Sequence, residues 1–186
     1  MNTRRALREE LNKLAKLPYI ASKRVQTLKQ RAEDTRPLTR DEGESDHFCT
    51  IFIPIVHSTA RVFIGHHIKS GLWIPPGGHI DKGETPQETA VRECKEELAT
   101  TINGADLTLI DCSYAPIMNR PNCSRHLDLW YALTCLRELP FDYDRGEFHE
   151  AGWCNIEEAI RLCTREAYQH VFVHLAQQID SSSNAL

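Results

Sequence analysis

A helix start fixed by its own side chains constrains this chain more than any other feature. Thr85, Pro86, Gln87 and Glu88 fit the N-cap, N1, N2 and N3 positions of an α-helix. The Thr85 hydroxyl accepts from the N3 amide and the Glu88 carboxylate accepts from the N-cap amide. Pro86 stands where a missing N–H costs nothing. From this start the spacing predicts a helix to about Ala99. At about 100° per residue, Val91, Cys94 and Leu98 share a face expected to be buried. Glu93, Glu96 and Glu97 share a second arc, expected to be open. Carboxylates at i, i+3 and i+4 repel one another by roughly 0.2–0.5 kcal/mol per pair in an isolated helix. A hard cation that takes oxygen ligands, Mg²⁺ or Mn²⁺ in its place, offsets that repulsion. Arg92 borders the arc and holds a carboxylate in place. Ahead of the helix, Pro75 and Pro76 stiffen the approach. Gly77 and Gly78 let the backbone pass close to a ligand and present its N–H and C=O groups.

These residues resemble the Nudix signature, a Gly, five residues, Glu, seven residues, then Arg-Glu-U-x-Glu-Glu-x-Gly-U with U apolar. The matching positions are Gly78, Glu84, Arg92, Glu93, Cys94 as U, Glu96 and Glu97. Ala99 stands where the family has Gly and Thr100 where it has an apolar residue, which bears on how the helix ends rather than on the carboxylates. The resemblance spans about Asp46 to Ile179. It implies an α/β/α sandwich with a mixed, curved sheet, and a Mg²⁺-dependent hydrolase that splits the pyrophosphate of a nucleoside diphosphate linked to a group X. It implies that Glu93, Glu96 and Glu97 hold metal, with the Gly77 carbonyl a further ligand. Glu96 or Glu97 then orients or deprotonates water, and Glu84 and Arg92 fix the geometry. Gly77, Gly78 and His79 are the substrate-binding candidates. Pro116 has a spacing similar to that of members that hydrolyse ADP-ribose. The alternatives are removal of oxidised nucleoside triphosphates and a ligand-sensing module without turnover. A sensing module is expected to have lost box carboxylates, and this chain keeps them all.

Outside that stretch the chain divides into an N-terminal helical arm with linker, residues 1–45, and a main domain, residues 46–186. Leu7, Leu11, Leu14 and Leu17 recur at helical spacing until Pro18, and Ser22 is placed to cap a second helix with Val25 and Leu28 inward. The pair has too little apolar surface to fold alone. It therefore packs on the main domain or on a second subunit, and a homodimer interface is the expected outcome. Residues 33–46 read as a linker.

Strands are predicted at Phe48 to Val56, with Pro54 marking an edge or bulge, and at Ala60 to Ile68, Leu107 to Tyr114, His126 to Leu136 and Gly152 to Asn155. Asn155 caps a helix to Cys163. A last amphipathic helix covers Arg165 to Ile179, and Ser181 to Leu186 is expected to fray. In the acidic loop Asp142 to Glu150, Glu147 is the candidate for one further carboxylate facing the metal, with Glu150 as its rival.

A formal net charge of −4 argues against general nucleic-acid binding and leaves a small nucleotide as the expected partner. No apolar run is long enough for a membrane span, and no apolar signal core follows Arg4. The seven cysteines contain no CxxC pair. A zinc site built from these cysteines and the nine histidines is the alternative, but no ligand pair is read as having zinc spacing, so buried reduced thiols in a cytoplasmic protein are expected.

Overall fold

A computed structural model describes residues 2–118 and 120–183. Its spine is β1 (Asp46–Val56), buried along its whole length. One edge of β1 pairs in parallel with β6 (Arg125–Thr134), in continuous register from Asp46↔Arg125 to Ile55↔Thr134. The other edge is shared. β4 (Gly77–His79) pairs antiparallel with Cys49 to Ile51, and β2 (Arg61–His67) pairs with Ile55 and Val56. β3 (Leu72–Ile74) and β7 (Phe148–Asn155) flank β2, and β5 (Leu107–Pro116) closes the far side against β6. The result is a mixed sheet of seven strands.

Pro54 lies inside this spine rather than at an edge or bulge, and the shared edge explains why. The Phe52 amide donates to the Pro76 carbonyl at 3.0 Å, so the N position of Pro54 faces the same side. There it falls in the gap between β4 and β2, where no ladder partner is lost.

Alternation along β1 sends Phe48 and Phe52 to one face and Ile51, Ile53 and Ile55 to the other. The first face carries α1 (Thr3–Leu14), α2 (Ser22–Glu33) and α3 (Pro86–Leu98) in one core. The second carries α4 (Ile156–Leu162) and α5 (Glu166–Ser183), with Trp130, Tyr168 and Phe172 at its centre. Helices on both faces of a mixed sheet make the sandwich that the resemblance implied. The last helix continues through Ser183 into the stretch expected to fray; the rest of that stretch, 184–186, lies outside the described residues.

The leucine stripe of the arm is covered by the chain's own sheet. Leu7, Leu11 and Leu14 are fully buried in the core that holds Phe48, Phe52 and Leu98. A homodimer interface is not needed to cover them. The linker is tied down as well. Arg31, only 4% exposed, donates to the Asp46 carbonyl at 3.1 and 3.0 Å and to the Pro37 carbonyl. The second helix is capped differently from the expectation. Ala21 is its N-cap, Ser22 lies inside the first turn, and no side-chain bond caps the end.

Each fully buried leucine stabilises a fold by roughly 1.5–3 kcal/mol. Three of them rival the roughly 5–15 kcal/mol of a whole domain. Deleting Met1 to Asp41 should therefore give aggregated chain or a melting transition lost below that of the intact protein. An unchanged melting temperature in differential scanning calorimetry would contradict this account. A second outcome concerns α3. Ala99 ends that helix in the left-handed region, at φ 48° and ψ 30°, where the family has Gly. A Cβ there costs on the order of 1 kcal/mol. Ala99→Gly should raise the unfolding free energy by about that amount in urea titration.

Candidate active site

The helix start forms as its side chains dictate. The Thr85 amide donates to Glu88 Oε2 at 2.8 Å, and the Glu88 amide donates to Thr85 Oγ1 at 3.2 Å. Thr50 on β1 anchors the same turn, its hydroxyl donating to the Pro86 carbonyl at 3.1 Å. The face expected to be open is only partly so. Glu93 and Glu97 are 9% and 6% exposed, whereas the Glu96 side chain is 58% exposed. The physical reason is β4, which lies against two of the three carboxylates.

Two glycines make that approach feasible. A Cβ at Gly78 would occupy the position of the Glu93 carboxylate, and a Cβ at Gly77, whose φ is +147°, would strike the Thr50 carbonyl. The Gly77 amide donates to Glu97 Oε2 at 2.8 Å. Arg92 collects the remaining groups. Its Nε reaches Glu84 Oε1 at 2.9 Å, its Nη1 reaches Glu93 Oε1 at 2.7 Å and Glu96 Oε2 at 3.3 Å, and its Nη2 donates to the His79 carbonyl at 3.0 Å. Glu84, Arg92, Glu93, Glu96, Glu97, Gly77 and Gly78 are thus brought together. The His79 imidazole is not. Its strand position opposite Cys49 sends it to the other face of the sheet.

The charges are unequal in environment. Burial pushes Glu97 well above the usual carboxylate range, and the charge of Glu93 adds to the shift; the Gly77 amide only partly opposes it. Burial also raises Glu93, against the pull of Arg92. Burial works upward on Glu84 too, but hydrogen bonds from Arg92 and Thr89 outweigh it, and Glu84 ends below its ordinary value. A buried acid pair whose negative charge is incompletely offset, beside a Gly-lined backbone, fits a hard divalent ion in its donor set.

Glu147 approaches from the loop before β7. Its Oε1 lies 2.5 Å from Lys69 Nζ and its Oε2 lies 3.3 Å from His67 Nε2. The loop is docked on the end of α3, since the Asp144 amide donates to the Glu97 carbonyl at 2.8 Å. Glu150 is exposed on β7 opposite His66. Pro116 ends β5, paired with Arg125 and exposed.

Residues 52–175 match the sequence profile of the NUDIX domain. The chain belongs to the Nudix family. Among relatives of this Nudix hydrolase, the mouse (Mus musculus) protein named bis(5'-nucleosyl)-tetraphosphatase [asymmetrical] is 33% identical over 113 residues, covering 59% of this chain and 75% of that one. The dihydroneopterin triphosphate diphosphatase of Escherichia coli K12 is 31% identical over 76 residues, covering 36% of this chain and 51% of that one. The solved E. coli dihydroneopterin triphosphate pyrophosphohydrolase superposes with a TM-score of 0.59 at 21% identity, over 67% of this chain and 91% of that one. The C. elegans Ap4A hydrolase binary complex gives 0.55 at 18%, over 72% and 98%. These likenesses show the shared Nudix fold. No helix among the described residues is long and apolar enough to cross a membrane.

The raised Glu97 carboxyl yields a test on metal-free protein. A carboxyl that binds its proton more tightly folded than unfolded lowers stability as pH rises above its unfolded value of about 4.3. Glu97→Gln keeps an acceptor for the Gly77 amide and removes that charge. In the presence of a chelator the variant should melt a few degrees higher than the wild type near pH 7. The difference should vanish near pH 4. A variant that melts lower at both pH values would show that Glu97 is not under electrostatic strain.

Proposed function

We propose that this Nudix protein is a Mg²⁺-dependent pyrophosphohydrolase of a nucleoside diphosphate linked to a further group. The observation that carries the reading is the pair of buried carboxylates, Glu93 and Glu97, pressed against the side-chain-free backbone of Gly77 and Gly78 with Arg92 alongside. Glu93, Glu96, Glu97 and the Gly77 carbonyl are the residues that would hold Mg²⁺, or Mn²⁺ in its place. A divalent ion held there supplies neutralisation of the diphosphate oxygens and a more acidic water.

The chain's own residues do the rest. Arg92 holds Glu84 and Glu93 on one guanidinium, as residues behind a metal ligand do. Glu97 Oε2 is held by the Gly77 amide, which leaves Oε1 to orient or deprotonate water, and Glu96 stands in solvent beside it. Gly77 and Gly78 admit the diphosphate close to the backbone. Glu147 completes the site from the β7 side. Both relatives are named for polyphosphate substrates, and the name of the mouse relative supports a chain that carries a second bulky group. We place a linked diphosphate, ADP-ribose or a dinucleoside polyphosphate, above an unmodified nucleoside triphosphate. Residues 1–45 are proposed as an arm that covers the hydrolase domain of residues 46–186. The seven unpaired cysteines support a cytoplasmic setting.

A substrate panel with product identification tests this reading. With Mg²⁺, a nucleoside monophosphate should be released from at least one linked diphosphate, and Glu96→Gln and Glu97→Gln should each lower kcat by about 10²-fold or more. Near wild-type turnover in both variants would sink the assignment. A kcat/KM for nucleoside triphosphates about tenfold above every linked diphosphate would reverse the substrate order.

The β7 loop has its own test. Glu147→Gln should lower turnover and raise the Mg²⁺ concentration for half-maximal rate, while Glu150→Gln should leave both near wild type. The opposite pattern would move the role to Glu150.

A further inference from the structure

The face of β4 turned away from Glu93 carries a second constellation of a different chemistry. His47 and Cys49 are two apart on β1 and so share a face. His79 on β4 stands opposite Cys49, and His126 on β6 stands opposite His47. Three adjacent strands thus project three imidazoles and a thiol to one point. The ring centroids lie 4.8 Å apart for His47 and His79, 5.3 Å for His47 and His126, and 5.1 Å for His79 and His126. One donor atom from each of His47, Cys49, His79 and His126 lies within 4.8 Å of the others. A second thiol borders the group: Cys123 Sγ is 3.0 Å from His126 Nε2 and 3.7 Å from His47 Nε2.

Hydrogen bonding alone accounts poorly for this arrangement. His47 is fully buried, and its Nδ1 lies 2.7 Å from the Glu44 carbonyl. That nitrogen must carry the proton, so the His47 Nε2 lone pair is the one aimed at the cluster. A backbone carbonyl bonded to the far ring nitrogen is the support a metal-ligating histidine ordinarily has. His79 Nε2 and His126 Nε2 face each other at 3.3 Å. A tetrahedral ion with nitrogen at about 2.0–2.1 Å and sulfur at about 2.3 Å sets its donors roughly 3.3–3.8 Å apart. Nitrogen and sulfur donors select a borderline transition ion rather than Mg²⁺.

The geometry points to a four-coordinate site for an ion of the Zn²⁺ class, held by His47, His79, His126 and the Cys49 thiolate, on the sheet face opposite the Glu93 carboxylate. Binding releases the Cys49 thiol proton to solvent. The ion ties β4, β1 and β6 together behind Gly77 and Gly78. β4 has three residues, so such a tie holds the glycine backbone at its distance from Glu93 and Glu97. This is a positioning role, separate from the carboxylate site.

Local spacing gave little sign of the group, because its members come from three strands far apart in the chain. The local signals are the His47-x-Cys49 pair on β1 and the Cys123-x-x-His126 pair that runs into β6.

Cobalt titration of the full-length protein, stripped with chelator, tests the proposal. One equivalent of Co²⁺ should give the intense visible bands of a tetrahedral ion and a near-ultraviolet thiolate-to-cobalt band, bleached by Zn²⁺ and untouched by Mg²⁺. The spectrum should persist when Glu93→Gln, Glu96→Gln and Glu97→Gln are combined. It should weaken at least tenfold in apparent affinity in His126→Gln and lose the thiolate band in Cys49→Ser. Absence of tetrahedral bands in the wild type, or their loss in the combined glutamate variant alone, would overturn the site. Loss of the thiolate band in Cys123→Ser but not in Cys49→Ser would overturn the place given to Cys49. If His126→Gln fails to fold by circular dichroism, the wild-type thiolate band still decides, since carboxylates cannot produce it.

Discussion

Gly78 has no side chain, and the Glu93 carboxylate occupies the space one would need. That contact sets the distance between β4 and α3, and much of the site follows from it. With the strand so close, the Gly77 amide reaches Glu97 and the His79 carbonyl reaches Arg92. The same closeness removes water from Glu93 and Glu97 and so raises their proton affinity. The site is organised around two acids held in an environment that disfavours their charge, with one guanidinium partly compensating. Such a pair is costly in the absence of a cation and is consistent with a place built to receive one.

The sheet makes the closeness feasible by dividing one edge of β1 between two strands. β4 takes the lower part of that edge and β2 the upper. Pro54 occupies the gap, where it has no donor to lose. Because β1 is buried on both faces, each of its alternate residues reports to a different layer. Thr50 anchors the start of α3 on one side, while His47 and Cys49 turn to the other. A single strand therefore fixes both the carboxylate site and the imidazole cluster, back to back across β4.

The N-terminal arm belongs to this construction rather than beside it. Its leucines share a core with Phe48 and Phe52, and Arg31 ties α2 to the first residue of β1 through the Asp46 carbonyl. The arm's apolar stripe was legible as a surface needing a partner. Which partner it takes depends on the shape of the sheet face left uncovered by α3, and periodicity carries no information about that.

The sequence by itself determined the elements whose causes are local. The capping box of Thr85 and Glu88 forms from residues three apart. The i, i+3 and i+4 spacing puts three carboxylates on one arc, the β-branched and aromatic run of β1 marks it as a strand, and alternation marks β6. Asn155 caps α4 for the same local reason, with Oδ1 accepting from the Glu158 amide at 2.7 Å. Tertiary structure alone decided what each arc faces. Glu93 and Glu97 became buried and Glu96 stayed in solvent because β4 covers only part of the helix. His79 left the carboxylate side because its strand neighbour is Cys49. His47, Cys49, His79 and His126 met because register between strands far apart in the chain aligned them. Burial and cross-strand register are set by backbone pairing over long sequence separations, and no side chain encodes those pairings on its own.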